Sequence, residues 1–302
     1  MDKIAVLMST YNGEKYVQEQ IDSILEQKGD FQLDLYVRDD GSNDKTIDIL
    51  RRYEMKKKIV WYTGENLKPA KSFMDLLKRS GEYEYYAFAD QDDVWNDDKI
   101  QKGIKCLKGI DEPALYCSNA ELVGENLESF GRNVYKNEPR TDFETVICAG
   151  GLLGCTMIFN APLANAIKNY TEDCVMVLHD FYIAAVCVSI GGRIIYDSET
   201  TMKYRQHEKN VVGVSHGLIG TLKGRVMDIL YKEPISIADQ SEHILYAYMN
   251  ELDKDKENWL ETVAHYKENK LNRLKLACSH RTKYINKNMS LKLRLSILLG
   301  NR

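Results

Sequence analysis

Proline is scarce, at five of 302 residues, and no run of Pro, Gly or Ser reads as a linker or a low-complexity tract. Collagenous and disordered classes are thereby excluded. The seven cysteines, Cys106, Cys117, Cys148, Cys155, Cys174, Cys187 and Cys278, are odd in number and contain no C-x-x-C pair. Neither a disulfide framework nor a zinc knuckle is signalled, and a reducing cytosol fits that usage. Long apolar runs are missing as well. The longest, Phe181 to Ile190, spans ten residues, about half of what a bilayer-crossing helix requires. Ile4–Met8 is too short for a signal peptide or an anchor, so export by that route is not expected. Neither G-x-G-x-x-G nor G-x-x-x-x-G-K-[ST] follows the first strand, which weighs against a Rossmann dehydrogenase and a P-loop NTPase.

What is present describes a globular chain. Hydrophobic residues make up 44% and charged residues 28%, and a length near two average domains is enough to bury a core without metal or disulfide staples. The charge is unevenly spread: residues 270 to 302 carry nine Lys or Arg and no Asp or Glu. The remainder, with 32 basic against 45 acidic residues, has a formal charge of −13. Such a body is not built to grip nucleic acid. In the tail the bases interleave with Leu271, Leu274, Leu276, Leu291, Leu293, Leu295, Ile297, Leu298 and Leu299. Two readings stand open, a surface for an anionic membrane and a basic helical face packed on the body.

The first half alternates short β-rich runs with helical patterns, which predicts an α/β domain with parallel strands. Strands are expected at Ile4–Met8, Leu33–Val37, Ile59–Tyr62 and Tyr85–Ala89, with helices at Glu14–Gln27, Lys45–Tyr53 and Ser72–Lys78. Asn12 is a candidate cap for the first helix. Beyond Pro113 the rhythm loosens, with strands at Ala114–Ser118, Cys155–Phe159, Arg193–Tyr196 and Thr201–Tyr204 and a helix at Asp180–Ile190. From about Val214 helical patterns dominate, so the chain divides into residues 1–213 and a helical region 214–302.

In open α/β sheets ligands bind beyond the carboxyl ends of the strands. Here those ends are polar: Ser9-Thr10-Tyr11-Asn12-Gly13, Arg38-Asp39-Asp40-Gly41-Ser42-Asn43-Asp44 and Asp90-Gln91-Asp92-Asp93. Several carboxylates on one strand end repel each other unless a cation neutralises them, and Mg²⁺ or Mn²⁺ takes such oxygen ligands. A solvated acidic turn is the alternative. Asp-Gly is a common turn pair, yet a carboxylate there can also accept the imide N–H of a uracil or thymine ring, on which Tyr11 can stack.

These three segments, the third continuing as Phe88-Ala89-Asp90-Gln91-Asp92-Asp93-Val94-Trp95, resemble glycosyltransferase family 2 with its GT-A fold. Together with Gly154–Asn160, His179-Asp180, Tyr204-Arg205-Gln206-His207 and Asn210-Val211-Val212-Gly213, they are similar to bacterial rhamnosyltransferases of polysaccharide assembly. The resemblance spans residues 3 to about 213 and implies a Rossmann-like mixed sheet flanked by helices, with residues 214–302 as a helical extension. It implies that Ser9, Tyr11 and Asp40 hold the nucleobase, that Asp90 meets the ribose, and that Asp92 ligates the metal. Asp93 supports that site or contacts the sugar, Lys71 contacts the diphosphate, His207 approaches the metal or the diphosphate, and Arg205 offsets the phosphate charge. Lys68 stands where the family usually has glycine. Asp180 matches the general base, although Asp is also a favoured helix cap. Gly150, Gly151 and Gly154 read either as a close-approach loop for sugar or as turn glycines.

The implied activity is an inverting, metal-dependent transfer of L-rhamnose from dTDP-β-L-rhamnose to a hydroxyl of a cell-surface, lipid-linked glycan. A UDP-hexose donor is the nearest alternative. The implied location is the cytoplasm or the inner face of the cytoplasmic membrane, and a homo-oligomer is left open. A sugar-nucleotide pyrophosphorylase fits less well, because its glycine-rich loop with a following basic residue is missing. A degenerate glycan- or partner-binding module would need none of Asp40, Asp90, Asp92 and Asp180.

Overall fold

A computed structural model describes residues 1–169, 175–207, 235–284 and 286–302. Cys174, Asn210 to Gly213, His216 and the 213/214 boundary lie outside them. Among the described residues nine strands form one sheet in the order β3-β2-β1-β4-β8-β6-β9-β5, with β7 (Ser129–Asn133) paired to β6. Strands β1 (Asp2–Thr10), β2 (Phe31–Asp39), β3 (Val60–Thr63) and β4 (Tyr85–Ala89) run parallel. Strand β8 (Met157–Asn160) is antiparallel to β4 and to β6 (Ala114–Val123), and β9 (Arg193–Arg205) runs parallel to β6. The short β5 (Val94–Trp95) lies antiparallel on β9. The sheet is therefore mixed.

Both faces of the sheet are buried at its central strands β1 and β4, which accounts for the unbroken apolar run of β1. Ile4, Val6 and Met8 join a core with Val17, Ile21 and Ile24 of helix α1 (Val17–Leu25). Helices α2 (Thr46–Met55) and α4 (Lys99–Leu107) cover the same face through Ile49, Leu50, Ile100 and Ile104. Ala5 and Leu7 point to the other core, under α3 (Lys68–Arg79), α5 (Phe143–Ala149), α6 (Ala161–Lys168) and α7 (His179–Ser189). Helix α7 is apolar all round because it is wrapped on all sides. Helices α8 (Ile237–Ala247), α9 (Lys254–Ala264), α10 (Lys270–Cys278) and α11 (Lys287–Leu299) feed Ile244, Leu260, Leu276 and Ile297 into this second core. The C-terminal helices thus share the core of the first half. No helix among the described residues is long and apolar enough to cross a membrane.

Three sequence expectations change. Asn12 does not cap α1: Tyr16 occupies the cap position without a side-chain bond, while Asn12 Oδ1 accepts the Asn43 N–H at 2.8 Å. The two runs at 193–196 and 201–204 form one strand, β9, whose register shifts against β6 near Asn119 absorb the polar Asp197-Ser198-Glu199 interval. Helices α4, α5 and α6 and strands β5 and β7 are additions to the expected elements.

The register decides where the chemistry lies. Thr10 pairs with Asp39 and Met8 with Ala89, so Tyr11, Asp40 and Asp90 emerge together at one edge of the sheet.

Candidate active site

A cavity of about 1080 Å³ opens at that edge, and Ser9, Tyr11, Asp40, Asp90, Asp92, Asp180 and His207 all line it. Each side chain is held by groups beneath it. Asp39 accepts from Thr10 Oγ1 (2.9 Å), Ser42 N (2.8 Å) and Ser42 Oγ (2.6 Å), which fixes the turn through Gly41 at φ +83°. That turn presents Asp40, 3% exposed, in an ion pair with Arg38 and accepting the Leu67 N–H at 3.1 Å. Arg38 also binds Asp75 at 3.0 Å, and Asp75 in turn binds Arg79 at 2.9 Å, so two guanidinium groups face two carboxylates. Tyr11, 45% exposed, is pinned only through its backbone: its N–H donates to Gln91 Oε1 (2.9 Å) and its carbonyl accepts from Gln91 Nε2 (3.1 Å). Its ring is left accessible. Ser9 Oγ shares a 2.6 Å hydrogen bond with Ser72 of α3.

The carboxylates after β4 face different ways. Asp92 Oδ2 lies 2.7 Å from His207 Nε2, and the His207 ring stacks on Tyr16 at 5.1 Å. Asp90 is pushed up to about 7, by burial first and then by the charges of Asp92 and Asp180. Asp93 is fully buried below the cavity, where its Oδ1 accepts the Arg205 N–H at 3.1 Å. Burial and the Asp92 and Asp90 charges drive its carboxyl well above the usual range.

Two sets of donors invite a cation. Asp90, Asp93 and Cys155 place ligand atoms within 4.8 Å of one another, yet a thiol suits a softer ion than Mg²⁺ or Mn²⁺. Two of its members, Asp93 and Cys155, are also buried beside Lys99, whose ammonium acts on both. Asp92 and His207, by contrast, stand at the cavity wall with 15% and 11% of their side chains exposed. A cation at Asp92 would relieve the carboxylate crowding that adds to the burial of Asp90, and the oxygen and imidazole donors at the wall fit a hard divalent ion.

Asp180 sits in the first turn of α7, where Leu178 is the cap residue and makes no side-chain bond. The capping alternative for Asp180 therefore falls away. Its Oδ2 accepts the Gly154 N–H at 3.1 Å and its Oδ1 the Phe181 N–H at 2.7 Å. Gly154 is a close-approach glycine, since a Cβ there would lie 2.6 Å from His179 Nε2 and 3.1 Å from Asp180 Cβ. Gly150, at φ +61°, instead caps the end of α5.

Three residues expected to touch the donor are placed elsewhere. Arg205 is 2% exposed, and its guanidinium donates to the Asp92 carbonyl (2.7 Å), the Glu125 carbonyl and Glu19 (2.5 Å). It braces the Asp92 peptide from below. Asp93 is likewise absent from the cavity wall, and Lys71 lies exposed on α3 outside it. Lys68 lines the cavity in its place, with φ +63°, a left-handed backbone that explains why glycine suits this position. Gln91, Tyr16 and Glu125 line the cavity without a place among the sequence candidates. Gln91 carries a readable signal, being the one neutral residue within the acidic string.

Comparisons with known proteins identify the family and the fold. The model for the family described as Glycosyl transferase family 2 matches residues 5–157. The dTDP-rhamnosyl transferase RfbG of Shigella flexneri is 32% identical over 231 residues, covering 69% of this chain and 74% of that protein. The fold is similar to S. aureus TarS 1-349 in complex with UDP-GlcNAc, with TM-score 0.54, 15% identity, and 99% and 91% of the two chains covered. It is also similar to the mannosyltransferase PcManGT of Pyrobaculum calidifontis in complex with GDP-Man and Mn²⁺, with TM-score 0.51, 16% identity, and 98% and 74% covered. The mixed sheet with its flanking helices is that of GT-A glycosyltransferases, and the chain belongs to glycosyltransferase family 2.

Proposed function

We propose that the protein is an inverting, metal-dependent glycosyltransferase that moves L-rhamnose from dTDP-β-L-rhamnose to a hydroxyl of a cell-surface polysaccharide precursor. The observation that carries this reading is the convergence of Asp40, Asp92 and Asp180 on one cavity from three distant parts of the chain. The rhamnosyl donor is supported by the Shigella flexneri relative.

In this reading Asp40 accepts the imide N–H of the thymine ring and the accessible Tyr11 ring stacks on it. Asp90 meets the ribose. Asp92 and His207 would hold Mg²⁺ or Mn²⁺, which when bound neutralises the departing diphosphate. Lys68 adds a positive charge at the cavity wall. Asp180 takes the proton of the acceptor hydroxyl, whose oxygen bonds to the anomeric carbon as the bond to the diphosphate oxygen breaks. The Gly154 N–H keeps Asp180 aimed without supplying a competing charge. Attack opposite the leaving group converts the β-linked donor into an α-rhamnoside. Proton NMR of the product tests this step. An α linkage is expected, a β linkage would overturn single displacement, and product from a UDP-hexose alone would keep the transferase and replace the donor.

The acceptor in this reading is lipid-linked, and the protein works at the cytoplasmic membrane face. Support comes from the outer side of the last two helices. Leu291, Leu295, Leu298 and Leu299 are exposed at i, i+4, i+7 and i+8 along α11, while Leu271 and Leu274 are exposed on α10. Lys270, Lys275, Lys283, Lys287 and Lys292 are exposed on the same segment. An apolar stripe with bases and no acids is complementary to anionic lipid. Sedimentation with vesicles should show binding that requires anionic lipid and weakens as salt rises. Equal binding to neutral vesicles would remove the electrostatic part of the reading.

A further inference from the structure

Both ring nitrogens of His179 are buried, and neither has a hydrogen-bond partner among the described residues. The residue is 8% exposed, yet it lines the cavity immediately before Asp180. Its ring lies nearly flat on Phe73 (centroids 4.1 Å apart, planes at 25°) and edge-on to Phe88 (5.0 Å, 83°). Gly154 closes another side, with room for a hydrogen but not for a methyl group beside Nε2. The packing thus fixes the ring while leaving two polar atoms unsatisfied, an arrangement that disfavours the folded state. An aliphatic side chain would pack on Phe73 and Phe88 without that penalty, so packing alone does not account for a histidine here.

The chemistry of the ring narrows its partner. Burial lowers the pKa of His179 and keeps the imidazole neutral. Neutral imidazole offers a donor at one nitrogen and an acceptor at the other, and a sugar hydroxyl can pair with either one. A diphosphate only accepts, and can pair with the protonated ring nitrogen alone, whereas a hydroxyl suits whichever nitrogen it meets. Position agrees: Asp180, the next residue, faces the reacting hydroxyl in the transferase reading, whereas the nucleobase belongs to Asp40 and Tyr11.

We propose that His179 hydrogen-bonds a hydroxyl of the sugar being transferred and thereby helps to select that sugar. The proposal rests on the transferase reading and assigns to its cavity a residue for the sugar as distinct from the nucleotide.

The test uses the full chain with His179→Leu and His179→Gln, measuring thermal unfolding, transfer, and calorimetric binding of dTDP and of dTDP-β-L-rhamnose in Mn²⁺. The leucine variant is expected to unfold at or above the wild-type temperature and to bind dTDP within about twofold of wild type. Its affinity for dTDP-rhamnose and its kcat/KM should fall about 10- to 100-fold, as for a substrate hydroxyl that loses its buried partner. Glutamine, which keeps a donor and an acceptor, should recover part of that loss. Wild-type donor binding and transfer in the leucine variant would make His179 a packing residue and overturn the proposal. So would a loss of dTDP affinity together with a lower unfolding temperature. A wild-type chain that binds no nucleotide sugar would instead sink the transferase reading and this proposal with it.

Discussion

Asp180→Asn should lower sugar transfer by about a thousandfold while leaving donor affinity within about twofold of wild type, the loss expected when a positioned general base is removed. The substitution keeps the size of the side chain and one of its two accepting oxygens, so the bond from the Phe181 N–H at 2.7 Å is given up. In that variant the amide oxygen can still accept the Gly154 N–H that holds Asp180 at 3.1 Å, and Leu178, not Asp180, caps α7. The start of the helix is therefore preserved, and so is the cavity wall. What is lost besides the Phe181 bond is the ability to take a proton from the acceptor hydroxyl. Steady-state kinetics with calorimetric donor titration separates the two effects. Transfer within about tenfold of wild type would return Asp180 to a structural role, because a neutral amide cannot replace a base.

Asp92→Asn should weaken metal-dependent donor binding by about a hundredfold and reduce transfer at least as much. The amide can keep a hydrogen bond to His207, which lies 2.7 Å from the Asp92 carboxylate, so the pairing of β5 and β9 need not change. The negative charge that would hold a divalent ion disappears, and the affinity for a diphosphate that depends on that ion goes with it. Relief of the crowding around Asp90 should accompany it, since the Asp92 charge is one of the causes that lift Asp90 to about 7. Donor affinity that is unchanged and equally responsive to Mn²⁺ in the variant would move the cation site to other ligands. The cluster of Asp90, Asp93 and Cys155 would then be the place to look.

The parts of this site that are legible in the sequence are those that depend on neighbours in the chain. An apolar run followed by several carboxylates marks a strand end whatever surrounds it, so Asp40, Asp90 and Asp92 can be placed at one sheet edge from local pattern alone. The direction of each side chain depends on distant residues. Asp93 turns under the cavity because it accepts the backbone N–H of Arg205, 112 residues later. Arg205 reads locally as a free cation beside a phosphate site, but Glu19, 186 residues earlier, already claims its guanidinium. A helix read as starting at Ser72 leaves Lys71 in the loop before it; the helix starts at Lys68 and carries Lys71 onto its exposed side. Helices α5 and α6, of seven and eight residues, are too short for a periodic signal. Their caps, Asp142 and Asn160, are the readable sign, each accepting from the backbone three residues on.

His179 shows a different limit. Its place before Asp180 is visible in the sequence, but a histidine heading an apolar helix reads the same whether it is packed or waiting for a ligand. That its two nitrogens lack partners among the described residues is a property of the folded surroundings, set by Phe73, Phe88 and Gly154.

Whether this cavity binds a nucleotide sugar through a cation held at Asp92 is tested most directly by calorimetry. The wild-type chain would be titrated with dTDP-β-L-rhamnose, UDP-glucose, UDP-galactose and GDP-mannose, each with and without Mn²⁺. Binding of dTDP-rhamnose in preference to the other three, dependent on Mn²⁺, is the expected result. Binding of none of the four, in the presence or absence of the ion, would contradict it.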